Sequence, residues 1–165
     1  MHQVLFGLGA NLGRPREQLA AAIRSLSRTV EVDRISSVYR TEPVGFRAQP
    51  DFYNVVLQGR SALEPEELLA EITRVEAEIG RVRTFRNAPR TIDVDLLDRA
   101  GGSYQSATLT LPHPRMHERP FVLVPLAEIA PLWRHPVLDL TASELLALLP
   151  SAGRVEWMGP LPHVD

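Results

Sequence analysis

Two aspartates one residue apart, Asp93 and Asp95, lie in the run Arg90-Thr91-Ile92-Asp93-Val94-Asp95-Leu96-Leu97. Apolar Ile92, Val94 and Leu96 alternate with the other residues, which predicts a strand with its side chains on alternating faces. Both carboxylates then share one face, where they repel each other unless a cation lies between them. Such a pair suits Mg²⁺, a hard ion that takes one or two carboxylates together with waters and substrate phosphates. Arg81, Arg83, Arg86 and Arg90 lie just upstream. Acids for a metal beside arginines for phosphate point to phosphoryl-group transfer. Taken alone, the alternation is more often a solvated strand face. The choice of arginine carries no information either, because the chain has no lysine and all 18 basic residues are arginine.

The elements that must position these residues follow from periodicity. Residues 3–8 read as a buried strand, entering the turn Gly9-Ala10-Asn11-Leu12-Gly13 and a helix at about 15–28 with an apolar stripe of Leu19, Ala22, Ile23 and Leu26. Gly7, Gly9 and Gly13 have G-x-G-x-x-x-G spacing, which departs from the dinucleotide-binding fingerprint; a tight strand-to-helix turn explains them better. Residues 29–40 form a second strand with an irregularity near Asp33-Arg34, and a loop of about ten residues from Thr41 to Pro50 leads to a third strand at 52–59. Within that strand Asn54 is a polar intruder, either paired with a neighbouring backbone group or reading a ligand's edge.

Glu64-Pro65-Glu66-Glu67 starts a second helix, with proline and acids in its first turn, that runs to Gly80. Glu76 falls near its apolar stripe and needs a partner or a ligand, unless it reaches solvent from the flank. A second long loop, 81–90, precedes the Asp-x-Asp strand. Beyond it come a short strand at 109–111, a helix at about 118–128, a short strand at 136–138, and a helix at 142–149 with Thr141 and Glu144 as a capping box; residues past Pro150 look irregular. The order β-α-β-β-α-β with a C-terminal extension is the ferredoxin-like α+β arrangement, an antiparallel sheet with helices on one face and the other face free to bind.

Composition narrows the function. A length of 165 residues suits one domain, spanning 1–165, and 44% hydrophobic with 23% charged residues is ordinary for a soluble globule. A net charge of -2 with 6% aromatics argues against a nucleic-acid partner. No apolar run is long enough to span a membrane. The absence of cysteine and of a signal-like start fits a cytoplasmic protein.

The motifs together resemble the 6-hydroxymethyl-7,8-dihydropterin pyrophosphokinases of folate biosynthesis. The likeness rests on Gly7 to Gly13, Tyr39-Arg40-Thr41-Glu42-Pro43-Val44-Gly45, Gln49-Pro50-Asp51-Phe52-Tyr53-Asn54, Gly80-Arg81-Val82-Arg83, Pro89 to Leu97, and Pro112-His113, Arg119, Phe121 and Pro125-Leu126, in order and in spacing.

It implies transfer of a whole diphosphate from ATP to the pterin hydroxymethyl oxygen, leaving AMP, by a monomer. Asp93 and Asp95 would hold two Mg²⁺ ions, and Arg81 and Arg90 would steady the group in transfer. Arg83, His113 and Arg119, with Glu76 beside them, would face the nucleotide. Thr41, Pro43, Val44, Phe52, Asn54 and Phe121 would form the pterin pocket. The chain departs from the family at Asn87, where many relatives carry tryptophan, and Phe85 is a candidate substitute ring. It departs again at Pro114, which replaces an aromatic in some relatives. A catalytically silent pterin- or nucleotide-binding protein and a single-strand nucleic-acid-binding module of the same fold class are the competing readings.

Overall fold

The computed structural model describes residues 1–43, 48–80, 92–150 and 154–161. In chain order its elements are β1 (His2–Ala10), α1 (Pro15–Leu26), β2 (Glu31–Ile35), β3 (Tyr39–Thr41), β4 (Phe52–Ser61), α2 (Pro65–Gly80), β5 (Asp93–Arg99), β6 (Tyr104–Gln105), β7 (Thr110–Leu111), a 3-10 turn (Met116–Glu118), α3 (Pro120–Ile129), α4 (Ala142–Leu148) and β8 (Val155–Trp157). The main sheet runs β5-β1-β4-β3-β8, with β2 also on β4. All its pairings are antiparallel.

With β2 and β3 taken as two halves of one interrupted strand, this is the predicted ferredoxin-like core. The interruption has a local cause. Register slips between Val32 and Arg34. Ser36 then bonds β4 through both its N–H and its hydroxyl, which accepts the Val56 N–H at 2.9 Å. Ser37 turns away to α3, giving its N–H and hydroxyl to the Glu128 carboxylate.

Strand alternation builds two cores. Val4, Phe6, Leu8, Val55, Leu57, Val94 and Leu96 face one way and pack with Leu19, Ile23 and Leu26 of α1 and Leu68, Ile72 and Val75 of α2. Leu5, Val56 and Leu97 face the other way, under Val122, Leu123 and Leu126 of α3 and Leu145 of α4. Each fully buried leucine here contributes about 1.5–3 kcal/mol. The two core helices therefore share one face as expected, while the extension roofs part of the other, narrowing the surface left for a ligand.

Three local expectations change. Pro136–Leu138 is a turn, because the His135 Nδ1 accepts the N–H groups of Val137 and Leu138 at 3.2 and 3.0 Å. Residues beyond 150 supply a strand, β8, on the edge of β3. The short strand near 110 has a partner that the sequence did not reveal, β6. The Thr141–Glu144 capping box forms in both directions.

Candidate active site

Direct pairing places Asp93, Gly9, Asn54, Tyr39 and Trp157 in one row across β5, β1, β4, β3 and β8. The next row holds Asp95, Gly7 and Val56. Directly opposed residues project from the same face, so the two carboxylates, the two glycines and Asn54 share a surface at the margin of the α3 roof. Asp93 is exposed and Asp95 partly so. The missing side chain at Gly9 matters, because a Cβ there would lie 2.8 Å from the Asn54 Oδ1.

Asn54 is buried, and its Nδ2 donates to the Thr41 Oγ1 at 2.9 Å. Its partner is thus a side chain of the same candidate pocket and not a backbone group. Thr41 is itself buried and paired with Phe52 across the ladder. Pro43 is buried, and Phe52 and Phe121 are half-buried. Asn11 escaped the sequence reading, which took its turn only as tolerant of positive φ. It donates to the Gln49 Oε1 at 2.9 Å and the Pro50 carbonyl at 3.2 Å, tying the connection before β4 to the end of β1.

On the opposite side of the carboxylates, the Arg119 Nη1 lies 3.8 Å from the Asp95 Oδ2 and its guanidinium carbon 5.6 Å from the Phe121 ring centre. His113 gives its backbone N–H to the Leu97 carbonyl at 2.7 Å, and its Nδ1 accepts the Arg115 N–H at 3.2 Å. Burial lowers the pKa of this imidazole, and the nearby Arg119 charge adds to that against the pull of Asp95. The neutral ring therefore carries its proton on Nε2. Glu76 finds its partner in the Val94 N–H at 3.0 Å, an amide on the outer edge of the sheet. A cavity of about 330 Å³ opens beside Asp95 and His113, walled by Leu69 and Ile72 of α2 and by residues 106–110.

The structure thus gathers Thr41, Pro43, Phe52 and Asn54 at one end of the surface, and Asp95, His113, Arg119 and Phe121 around its centre. Arg81, Arg83, Arg90 and Val44 lie outside the described residues. Among the described residues no three His, Cys, Asp or Glu converge on a metal position. Two carboxylates without a soft donor fit a hard ion that completes its shell with water and substrate oxygens, as Mg²⁺ does.

A family profile described as 7,8-dihydro-6-hydroxymethylpterin-pyrophosphokinase (HPPK) matches residues 5–131. A protein of Synechocystis sp. named 2-amino-4-hydroxy-6-hydroxymethyldihydropteridine pyrophosphokinase is 42% identical over 147 residues, 88% of this chain and 75% of that one. One of the same name from Aquifex aeolicus is 39% identical, covering 83% of this chain and 86% of its own length. The folic acid synthesis protein FOL1 of Dictyostelium discoideum is 36% identical over 96% of this chain, which spans only 24% of that longer protein. The HPPK-DHPS of Plasmodium falciparum superposes with a TM-score of 0.71 at 14% identity, over 88% of this chain and 43% of its own, which is a likeness of fold. Profile and relatives together place the chain in the 7,8-dihydro-6-hydroxymethylpterin-pyrophosphokinase family.

Proposed function

We propose that this chain transfers the terminal diphosphate of ATP to the hydroxymethyl oxygen of 6-hydroxymethyl-7,8-dihydropterin, giving the pterin diphosphate, AMP and a proton. One observation carries the reading: the Asp-x-Asp pair and the Asn54–Thr41 pair lie in adjoining positions on one sheet surface, separated only by a glycine. Metal-bound phosphate and a flat polar heterocycle would thereby meet side by side.

The reaction forms a bond from the hydroxymethyl oxygen to the β-phosphorus as the bond from that phosphorus to the α,β-bridging oxygen breaks. Such a transfer asks the protein mainly for alignment and charge stabilisation. Asn54 and Thr41 would hold the pterin edge. With Nδ2 committed to Thr41, Asn54 offers Oδ1 as an acceptor and Thr41 offers its hydroxyl hydrogen as a donor. Phe52 and Phe121 would cover the faces of the ring. Arg119 would neutralise phosphate charge, and neutral His113 would donate from Nε2. Asp93 and Asp95 would hold two Mg²⁺ ions, which spread the charge of the triphosphate when bound. Arg81 and Arg90 would steady the group in transfer, Arg83 and Glu76 would sit on the nucleotide side, and Val44 would complete the pterin pocket. The chain is read as a single-domain monomer, and the cysteine-free sequence supports the cytoplasm.

The test is incubation of the purified protein with ATP, Mg²⁺ and the pterin, with nucleotide products separated by chromatography. AMP appears in step with pterin diphosphate. ADP as the product would rule out attack at the β-phosphorus.

A further inference from the structure

One carboxylate plays no part in the site as described, yet it collects three hydroxyl hydrogen bonds. Glu66 Oε2 accepts from the Tyr104 hydroxyl at 2.9 Å and the Ser106 hydroxyl at 2.8 Å, and Oε1 accepts from the Thr108 hydroxyl at 2.6 Å. All three donors belong to the β6–β7 hairpin, whereas Glu66 stands in the first turn of α2. Those hydroxyls hold its carboxyl below the usual glutamate range, Thr108 most strongly. The sequence assigned Glu66 only to the helix dipole. Glu67 stands beside it to serve that role, and its carboxylate already accepts the Glu64 N–H at 2.9 Å.

The hairpin needs such a tether. Its ladder is two residues long, Tyr104 with Leu111 and Gln105 with Thr110, and so short a ribbon is marginal by itself. Its turn also leans on the clamp, because the Ser106 hydroxyl accepts the N–H groups of Thr108 and Leu109 at 3.2 and 3.1 Å. Residues 106–110 form one wall of the cavity beside Asp95, and Leu69 and Ile72 of α2 form another. Glu66 is therefore a direct link between two opposing walls.

We propose that Glu66 is a positioning residue that sets the width of this cavity for the base of the nucleotide. The inference rests on the proposed function. A triphosphate beside Asp95 directs its nucleoside toward the adjoining cavity, where apolar side chains suit a flat base.

The experiment compares wild type, Glu66→Ala, Thr108→Val and the double variant in steady-state AMP formation. Glu66→Ala raises the KM for ATP about tenfold, leaves the pterin KM within about twofold, and narrows the preference for ATP over GTP. Thr108→Val on top of Glu66→Ala adds little, because both remove the same tether. An unchanged ATP KM in Glu66→Ala overturns the proposal. So does an equal rise in both KM values with a fall in Tm, which marks general loosening. Calorimetric titration with Mg-ATP in the absence of pterin reads the clamp independently of turnover. A wild type that binds ATP but forms no AMP defeats the proposed activity, while the effect of Glu66→Ala on ATP affinity still decides this inference.

Discussion

The side-chain oxygen of Asn54 fills the space in front of Gly9. A methyl group on Gly9 would lie 2.8 Å from that oxygen, and Asn54 is held from its other end by Thr41. Gly9→Ala therefore pushes a buried amide out of its bond. The expected result is a rise of about tenfold or more in pterin KM, with the ATP KM nearly unchanged, since a lost bond at a buried polar site costs about 1–3 kcal/mol. Normal pterin affinity in a folded Gly9→Ala protein would remove Asn54 from the pocket.

Asp95→Ala tests the metal assignment. Asp95 lies on an open part of the surface, with Arg119 as an ion-pair partner at 3.8 Å, so little of the fold depends on it. If Asp95 holds Mg²⁺ as proposed, turnover falls by about a thousandfold or more while Tm stays within a few degrees. Turnover like that of the wild type at saturating Mg²⁺ contradicts the assignment.

His113 predicts proton linkage. Its folded pKa is depressed by burial and by Arg119, so the native protein favours the neutral ring; its contribution to stability is present above the ordinary histidine value and is lost as pH falls. Under the proposed function, ATP supplied without Mg²⁺ would bring negative charge beside the ring and raise that pKa again. ATP binding should take up protons between about pH 5.5 and 7, read by calorimetry in buffers of different ionisation enthalpy. His113→Gln reduces this uptake to that of the nucleotide alone, and an identical uptake in the variant places His113 away from the phosphates.

Asp98 offers a stability test remote from the chemistry. It is 7% exposed and its Oδ2 accepts the Trp133 Nε1–H at 3.1 Å, while among the described residues its Oδ1 finds no hydrogen-bond partner. Burial raises its pKa, so the stability that it contributes is full below the unfolded carboxyl value and is lost as pH rises through the folded one. Where that carboxyl is ionised, the native state bears a buried charge. Asp98→Asn removes it and should stabilise by about 1 kcal/mol, roughly 2–4 °C in Tm, with the gain vanishing toward pH 4. A variant less stable than wild type at pH 7 shows that the charge is better satisfied than this.

The sequence disclosed those parts of the fold that rest on local rules. The stripe from Leu19 to Leu26, the proline-led start at Pro65 and the Thr141–Glu144 box each specify an element through neighbours three or four residues away, and each forms. Asp93 and Asp95 could be set on one face for the same reason. What depends on distant partners was hidden. Ser36 leaves its strand because Val56 and α3 claim its neighbourhood, and Pro136–Leu138 turns because His135 gathers its amides. The place of Asn11 and the triple load on Glu66 depend on segments far away in sequence. No short-range pattern encodes them.

The pairing of β3 with β8 bears on how the proposed substrate surface is made. Thr41 and Tyr39 belong to a three-residue strand that would be a bare margin of the sheet without Val155 and Trp157, and Arg40 joins the same seam through Glu156. A bare margin is a template for foreign strands, and closing it across so long a stretch of chain is a slow step in folding. The closing strand also lies beyond residue 131, where the family profile ends. Substitutions in this closing strand therefore act on the segment that carries Thr41 without touching Thr41 itself.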